Sequence, residues 1–226
     1  WTNVANNYKA TGIPAQTWVS SIEPSRFDKS VVYATFDNHM YGDMKTYCAV
    51  SRDMGKTWAR LNADLFKGFA HKIKEDLVSK DLLFLGTEMG LYVSVNGGKS
   101  WVQMKGNIPE YCLVRDIVIE PKTNDLVLAT HGRGILIVDD ISPLRKINDA
   151  VLNSEVAIIP ARPAPVTTGH YGGGWPDAGG FVGPNSKEEA QILYYLKNRV
   201  NSGIVKLEVL DTQGNVLVEL PGTKRK

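Results

Sequence analysis

An eight-residue pattern occurs twice in this chain and constrains its fold more than any other feature. The first copy, octet 1, is Ser51-Arg-Asp-Met-Gly-Lys-Thr-Trp58, and the second, octet 2, is Ser94-Val-Asn-Gly-Gly-Lys-Ser-Trp101, 43 residues further on. Serine, Asp or Asn, glycine, a hydroxyl residue and tryptophan stand at equal positions in both. Each octet lies between two alternating apolar runs, which indicates a hairpin between two β-strands.

The residue types of the octets predict turns with a structural role. The Asp or Asn can accept hydrogen bonds from backbone N–H groups of the turn, and the glycine can adopt positive φ. The tryptophan begins the returning strand, where its ring can be buried between neighbouring sheets while its N–H finds one acceptor. The predicted structural residues are Ser51, Asp53, Gly55 and Trp58 in octet 1, and Ser94, Asn96, Gly98 and Trp101 in octet 2.

The octets resemble the Asp-box, also called the BNR repeat, with the pattern S-x-D-x-G-x-x-W. Octet 1 matches each fixed position, and octet 2 differs only in Asn96. In sialidases and sortilin-like (VPS10) propellers such boxes are structural clips on the outer hairpin of a blade. The resemblance implies a β-propeller of four-stranded blades, since one blade cannot bury its faces alone. The segment Thr130-His-Gly-Arg-Gly134, which leads to Asp139-Asp140, resembles the last blade of secreted bacterial glycosyl-hydrolase-like or sortilin-type propellers.

The predicted fold class is all-β, with a partial β-propeller of about three four-stranded blades plus one stray outer strand, followed by an incomplete β-sandwich. Residues 1–141 would hold the blades. Trp1-Thr-Asn-Val4 repeats the spacing of Trp58 to Leu61, which predicts the outer strand of a preceding blade. Val156-Ala-Ile-Ile159 is a candidate late outer strand or exit segment.

The composition changes after the third blade. Residues 142–183 are predicted to be a linker and surface loop, because Pro160–Pro165 favours an extended spacer and seven glycines fall between Gly169 and Gly183. Residues 184–226 contain alternating apolar runs that resemble the first strands of an immunoglobulin-like or fibronectin-III-like sandwich. Since both folded units are incomplete, we expect the natural chain to continue in both directions and residues 1–226 alone to aggregate.

Composition excludes several classes of function. A net charge of +2 without a sustained basic stripe gives no basis for binding nucleic acid or an anionic membrane. No apolar run approaches the length of a transmembrane helix. The four histidines lack metal-ligand spacing, so neither a metal nor another cofactor is predicted. Cys48 and Cys112 are interpreted as small buried residues, with a disulfide between them as the alternative.

Candidate functional residues lie on the loops that join the second and third strands of each blade. Because strands alternate in direction, these loops share the face opposite to the octets, which we name the loop face. The ligand-binding candidates are His39, Tyr41, His131 and Arg133. Asp37, Asp43 and Glu88 are candidates for the paired carboxylates of glycoside hydrolysis.

The leading interpretation is a non-catalytic binding or scaffolding module of a secreted or cell-surface bacterial Asp-box propeller protein. Its expected partners are the remaining blades of the same protein and a glycan or polypeptide ligand. The alternative is part of a carbohydrate-active glycoside hydrolase whose catalytic carboxylates lie partly upstream. The resemblance implies a secreted, periplasmic or cell-surface location.

Overall fold

The computed structural model describes residues 2–4, 6–61, 66, 68–109, 111–164, 190–201 and 205–221. Within them, strands dominate, and the α-helix α1 is a short one at Asp149–Asn153. The strands, in chain order, are β1 (Trp18–Pro24), β2 (Val32–Asn38), β3 (Asp43–Ser51), β4 (Ala59–Arg60), β5 (Ala70–Glu75), β6 (Leu83–Thr87), β7 (Gly90–Ser94), β8 (Val102–Gln103), β9 (Val114–Ile119), β10 (Leu126–Thr130), β11 (Ile135–Val138), β12 (Val156–Ile159), β13 (Leu193–Leu196), β14 (Lys206–Leu210) and β15 (Val216–Pro221).

The first eleven strands form three successive antiparallel sheets. Strands β1–β4 make blade 1, β5–β8 make blade 2, and β9–β11 make blade 3, each with its strands in chain order across the sheet. Strand β5 contacts β1, β2 and β3 on one side and β9 on the other. Up-and-down sheets packed face to face are the arrangement of consecutive propeller blades. The all-β fold with propeller-like blades is therefore confirmed.

Blade 2 is buried on both faces because its strands are apolar at successive positions. Leu83 and Leu85 of β6 pack with Tyr33 of blade 1. Phe84, which points to the opposite face of the pleated strand, packs with Leu128 of blade 3. A strand covered on both sides reads as a continuous hydrophobic run, which is what Leu82-Leu-Phe-Leu85 provides.

Polar side chains also join the blades. Glu75, at the end of β5, is buried and accepts hydrogen bonds from Ser25 Oγ at 2.9 Å and from the Arg26 N–H at 2.8 Å. Arg145 donates to both carboxylate oxygens of the fully buried Asp76, at 2.8 and 2.9 Å. Because a buried charge needs a partner, the bidentate pair fixes the segment after blade 3 against blade 2.

The prediction of a fourth strand in blade 3 is wrong. In the described residues blade 3 has three strands, and β12 pairs with β13, so Val156–Ile159 is not a late outer strand of the blade. After β11 the chain turns at Asp140, whose φ is 47°, and forms a 3₁₀ helix at Ser142–Lys146 with Pro143 buried. Together with the Arg145–Asp76 pair, this helix directs the chain away from the outer edge of the sheet.

The outer strands of blades 1 and 2 are shorter than predicted. Strand β4 covers Ala59–Arg60 rather than Thr57 to Leu61, and β8 covers Val102–Gln103. The octet turns extend to the tryptophans, which leaves two residues for pairing with the third strand.

The N-terminal segment covers the outer face of blade 1. Tyr8 and Ile13 pack with Ala34, Phe36 and Tyr47 in one core cluster. Residues 2–4 form no strand, and Trp1 lies outside the described residues. By contrast, the far face of blade 3 exposes apolar side chains on its inner strand β9 and its outer strand β11; Val118, Ile135 and Ile137 are 54%, 70% and 60% exposed.

The C-terminal part contains two separate hairpin-like pairs, β12 with β13 and β14 with β15. Each described sheet has two strands, so the β-sandwich stays a prediction. The glycine-rich segment from Gly169 to Gly183 and the end at Lys226 lie outside the described residues. Cys48 and Cys112 are both buried and free, so the alternative of a disulfide between them is wrong. No helix in the described ranges is long and apolar enough to cross a membrane.

Candidate functional site

The serine and the Asp or Asn of each octet form hydrogen bonds within their own turn. Ser51 Oγ accepts a hydrogen bond from the Gly55 N–H at 2.8 Å, and Asp53 Oδ1 accepts one from the Thr57 N–H at 2.8 Å. In octet 2 the corresponding distances are 2.9 Å from Gly98 N to Ser94 Oγ and 2.9 Å from Ser100 N to Asn96 Oδ1. The hydrogen bonds expected within each turn are thus present in both octets.

The loop face lies at the opposite ends of the same strands. Its loops are residues 39–42 in blade 1, 88–89 in blade 2 and 131–134 in blade 3. The first residues of the inner strands β1, β5 and β9 reach the same face, because each inner strand is antiparallel to the second strand of its blade. Any site on this face can therefore combine three loops with three strand ends.

Asp37 and His39 form an ion-pair geometry at the end of blade 1. His39 Nδ1 lies 2.6 Å from Asp37 Oδ1 and 2.8 Å from Oδ2, and Asp37 Oδ1 also accepts from the His39 backbone N–H at 2.9 Å. The His39 ring stacks on Phe69, with the ring centroids 4.5 Å apart and the planes at 16°. The carboxylate thus fixes the imidazole against an aromatic surface.

Phe69 brings together groups from all three blades, which we name the Phe69 cluster: Asp37, His39, Phe69, His71 and Arg115. The edge of His71 meets the Phe69 ring, with 4.8 Å between ring centroids and planes at 70°. Arg115 Nη1 lies 3.0 Å from His71 Nδ1. The cluster therefore runs from the second strand of blade 1 to the inner strand of blade 3.

His71 is held in its neutral form with a defined tautomer. Burial and the positive charge of Arg115 lower its pKa to about 4. Because an arginine can only donate, Nδ1 must accept, and the proton of the neutral ring is on Nε2. Nε2 is buried and has no hydrogen-bond acceptor among the described residues. Its neighbour is the Phe69 ring.

Asp43 serves the local structure of blade 1. Its Oδ2 accepts hydrogen bonds from Tyr47 Oη at 2.7 Å and Asn38 Nδ2 at 3.2 Å, and Oδ1 accepts from the Lys45 N–H at 3.1 Å. Burial acts to raise the pKa of Asp43, but these hydrogen bonds outweigh it and the pKa lies below its ordinary value. A carboxyl with a lowered pKa is unsuited to act as a general acid.

Glu88 lies in the short loop of blade 2. Its backbone N–H donates to Phe69 O at 3.1 Å, which places the loop beside the Phe69 cluster. Its Oε2 is buried and has no hydrogen-bond donor in the described part of the chain. Of the three predicted carboxylates, Glu88 has the oxygen that is not already used by the protein.

His131 and Arg133 project from the loop of blade 3. Both are exposed, and Gly132 and Gly134 on either side of Arg133 have φ of 78° and 70°. The His131 N–H donates to Leu113 O at 3.0 Å, which ties this loop to the segment before β9. No described carboxylate lies within ion-pair distance of the Arg133 guanidinium.

Exposed aromatic side chains add a second feature to the loop face. Trp18, the first residue of β1, is 75% exposed and pairs across the sheet with Asp37. Tyr41, in the adjoining loop, is 67% exposed. Large apolar surfaces left in water are uncommon and mark interaction sites when they cluster.

Sequence reasoning missed Trp18, His71 and Arg115. Trp18 and Arg115 carry a signal that could have found them, because each stands four residues before the isoleucine of the repeated Ile-Glu-Pro signature at Ile22 and Ile119. His71 lacks such a marker, and its role depends on the contact with Arg115 across a blade interface. No group of three or more metal-ligating side chains is found in the described residues.

No protein-family model matches this chain, and no curated protein sequence matches it. Three solved structures of GH74 enzymes are similar to it in fold. An ancestral GH74 enzyme has 21% identity and a TM-score of 0.41, with 51% of this chain and 14% of that enzyme covered. The GH74 enzyme of Niastella koreensis has 18% identity and a TM-score of 0.46, covering 54% and 21%.

The third similar structure is the GH74 xyloglucanase of Xanthomonas campestris. It has 14% identity and a TM-score of 0.43, with 56% of this chain and 22% of the xyloglucanase covered. The chain thus spans 14–22% of the length of these enzymes.

Proposed function

We propose that this chain is part of a glycan-binding β-propeller and that it binds through the loop face of blade 1. The observation that carries the proposal is the exposed pair Trp18 and Tyr41 beside the Asp37–His39 ion pair. A sugar ring offers an apolar C–H face and a rim of hydroxyl groups. Aromatic rings with a polar tip or neighbour suit the first, and a carboxylate–imidazole pair suits the second.

The charge balance favours this reading over nucleic acid. On this side of the molecule the Lys72 cation is paired with the Asp116 carboxylate, Asp37 is a further carboxylate, and the net charge is only +2. A nucleic-acid surface needs an excess of unpaired cations along one face. A surface that binds a neutral or weakly charged polymer does not need such an excess of cations.

The proposal extends to the setting of the protein. The protein would act in the periplasm, at the cell surface or after secretion, where cell-wall and other extracellular polysaccharides are met. The Asp-box resemblance of the octets agrees with such a setting. The exposed apolar far face of blade 3 supports further blades of the same protein as partners, because packed blades bury this kind of surface.

Affinity electrophoresis of the full-length natural protein tests the glycan proposal. The Xanthomonas campestris structure is described as that of a xyloglucanase, so xyloglucan is the first polysaccharide to include in the gel. The double variant Trp18→Ala, Tyr41→Ala should bind at least about tenfold more weakly, about 1.4 kcal/mol. Its melting temperature should remain within a few degrees, since both side chains are exposed.

The control for this experiment is the opposite face. Arg52→Gln and Lys99→Gln change exposed cations of the octets and should leave binding unaltered. If these variants lose binding while the Trp18, Tyr41 variant keeps it, the assignment of the loop face is wrong. A full polysaccharide panel without any retarded mobility would reject glycan binding itself.

Glycoside hydrolysis is the second candidate, and the unpartnered Oε2 of Glu88 favours it. A glycosidase needs one carboxyl that can act on the glycosidic oxygen and a second to act as base or nucleophile. If Glu88 is catalytic, Glu88→Gln should lower the rate of hydrolysis by about 10³-fold or more while binding persists. A variant that cleaves as fast as the natural protein would exclude Glu88 from the chemistry.

A further inference from the structure

The corner of the loop face at blade 3 differs from the corner at blade 1 in its charge. At blade 1 the carboxylate of Asp37 is paired with His39 at 2.6 Å. At blade 3 the Arg133 guanidinium is exposed, and no described carboxylate pairs with it. A guanidinium on an exposed loop with no anionic partner is a site of net positive charge.

Tyr111 lies in the segment before β9, which is hydrogen-bonded to the loop that carries this guanidinium, and it has an unusual backbone conformation. Its φ is 59° and its side chain is 65% exposed. Bulky residues rarely adopt the left-handed region, and such residues persist where the surrounding structure imposes them, often at functional sites. The next residue, Cys112, is fully buried, which fixes the backbone beside Tyr111.

One backbone hydrogen bond ties the segment of Tyr111 to the blade 3 loop, and the charge of Arg133 acts on the neighbouring Cys112. The His131 N–H donates to Leu113 O at 3.0 Å, two residues after Tyr111. Burial raises the pKa of the Cys112 thiol, and the nearby charge of Arg133 partly offsets that rise. The segment that carries Tyr111 and the loop that carries His131 and Arg133 are therefore neighbours on the loop face.

We propose that Tyr111, His131 and Arg133 form a subsite for a carboxylate-bearing sugar, a uronic acid unit of a glycan. The proposal rests on the glycan-binding function and adds the class of sugar. The phenol ring would receive the apolar face of the pyranose, while the planar guanidinium would bind the carboxylate through two parallel N–H···O bonds. His131 supplies a further ring nitrogen at the rim.

The combination suits this ligand class better than a neutral sugar or an acidic peptide. A neutral sugar would use the ring of Tyr111 but leave the guanidinium of Arg133 without an anion. An acidic peptide would supply carboxylates but no flat apolar ring face for the exposed phenol. A sulfated glycan also supplies an anion that the arginine fork can bind, so dextran sulfate is a separate probe in the test.

Calorimetric titration of the full-length natural protein tests the subsite with one polymer in two charge states. The probes are galacturonate oligomers and the same oligomers with methyl-esterified carboxyl groups. The acidic oligomers should bind at least about tenfold more tightly, because esterification removes the anion and keeps the ring. Arg133→Gln should abolish this difference, and Arg52→Gln on the octet face should preserve it.

Tyr111→Gly separates binding from folding. Glycine adopts a φ of 59° without strain, so the variant should melt at the same or a higher temperature while binding both oligomers at least about tenfold more weakly. Full affinity in this variant would remove Tyr111 from the site and overturn the proposal.

The remaining outcomes are distinct from those that test the glycan proposal. Equal affinity for acidic and esterified oligomers, or an acid preference that survives Arg133→Gln, overturns the subsite. Binding of dextran sulfate through Arg133 without binding of galacturonate also overturns it, since charge alone would then explain the result. If xyloglucan still binds through Trp18 in any of these cases, the subsite fails and the glycan-binding function stands.

Discussion

Octet 1 and octet 2 build the same turn from side chains of different charge. In both, the serine hydroxyl donates to Oδ1 of the Asp or Asn two residues later. The distance is 2.8 Å from Ser51 to Asp53 and 3.0 Å from Ser94 to Asn96. The second side-chain atom behaves differently: Thr57 Oγ1 donates to Asp53 Oδ2 at 2.6 Å, whereas Asn96 Nδ2 donates to Ser100 Oγ at 2.7 Å.

The exchange of donor and acceptor between the two octets shows which atoms the turn requires. A hydroxyl can donate or accept, so it adapts to a carboxylate oxygen or to an amide N–H. The oxygen that receives the backbone N–H, Oδ1, has no such freedom and is present in both Asp and Asn. The negative charge of Asp53 is therefore dispensable for the fold of the turn, which explains why Asn96 is accepted.

The two tryptophans are the second difference between the octets. Trp58 packs against the cluster of Tyr8, Ile13 and Phe36, and its Nε1 donates to Gly55 O at 3.2 Å. Trp101 packs against the cluster between blades 1 and 2 and meets Phe66 edge-on, with 5.9 Å between ring centroids. Its Nε1 is buried without an acceptor among the described residues.

The largest expected effect is the loss of either tryptophan ring. Trp58→Ala and Trp101→Ala should each lower the free energy of unfolding by about 3–5 kcal/mol, the range for a large aromatic side chain removed from a core. Phenylalanine sharpens the comparison. Trp58→Phe also loses a hydrogen bond and should cost about 1 kcal/mol more than Trp101→Phe, which removes a buried N–H that has no partner.

Urea denaturation of the full-length natural protein measures these values. A loss below about 1 kcal/mol in both alanine variants would mean that the rings are not core residues. An equal cost for the two phenylalanine variants would show that the Trp58 hydrogen bond adds nothing.

The next largest loss of stability is expected for substitutions of Gly55 and Gly98, which pack against Val4 and Leu61 respectively. A Cβ on Gly98 would lie 2.8 Å from Leu61 Cδ2, and one on Gly55 would lie 3.4 Å from Val4 Cγ2. Both glycines have φ of 83°, so alanine is strained at each by about 1–2 kcal/mol. Overpacking adds to this at Gly98, and Gly98→Ala should cost about 2–4 kcal/mol against about 1–2 for Gly55→Ala.

The measurement is again the free energy of unfolding in urea. A larger loss for Gly55→Ala than for Gly98→Ala would contradict the contacts described here.

The octets and blades could be predicted from the sequence because their signals are local. Ser51, Asp53 and Gly55 interact within five residues, and the continuous apolar run of β6 in blade 2 is covered on both faces. The exit from blade 3 could not be predicted, since it depends on Arg145 meeting Asp76 across 69 positions. Short-range periodicity contains no information on such a contact.

The candidate site divides in the same way. Asp37 and His39 are two residues apart on one loop, so the sequence could place them on one face. The Phe69 cluster needs His71 and Arg115, which are 44 positions apart and meet only when blades 2 and 3 pack. Tyr111 is marked by its backbone conformation and exposure, and neither can be read from residue type.

A smaller effect is the dependence of stability on pH, which distinguishes Asp53 of octet 1 from Asn96 of octet 2. Hydrogen bonds from the Thr57 hydroxyl and N–H lower the pKa of Asp53 to about 2, from an ordinary value of 3.8. A lowered pKa in the folded state stabilises the fold above about pH 4, and this contribution is lost as the pH falls towards 2. Octet 2 lacks it, because Asn96 does not titrate.

Exchange of the two residue types tests this difference. Between pH 5 and pH 2, the melting temperature of Asp53→Asn should fall less than that of the natural protein, and that of Asn96→Asp should fall more. The two melting temperatures of natural protein and Asp53→Asn should converge near pH 2. Identical pH profiles for all three proteins would show that the carboxylate is not stabilised by its turn.

The smallest effect is expected at the residue before the octet glycine. Met54 has a φ of 60° where octet 2 has Gly97 with a φ of 69°. The left-handed conformation costs a non-glycine residue about 1–2 kcal/mol, while glycine gives back about 0.5–1 kcal/mol through the entropy of the unfolded chain. Met54 is 61% exposed, so little packing is lost on its removal. Met54→Gly should therefore stabilise the protein by up to about 1 kcal/mol, and Gly97→Ala should destabilise it by about 1 kcal/mol.

The urea midpoints of the two variants measure both changes. Destabilisation by Met54→Gly would mean that the methionine side chain contributes contacts that outweigh its backbone strain.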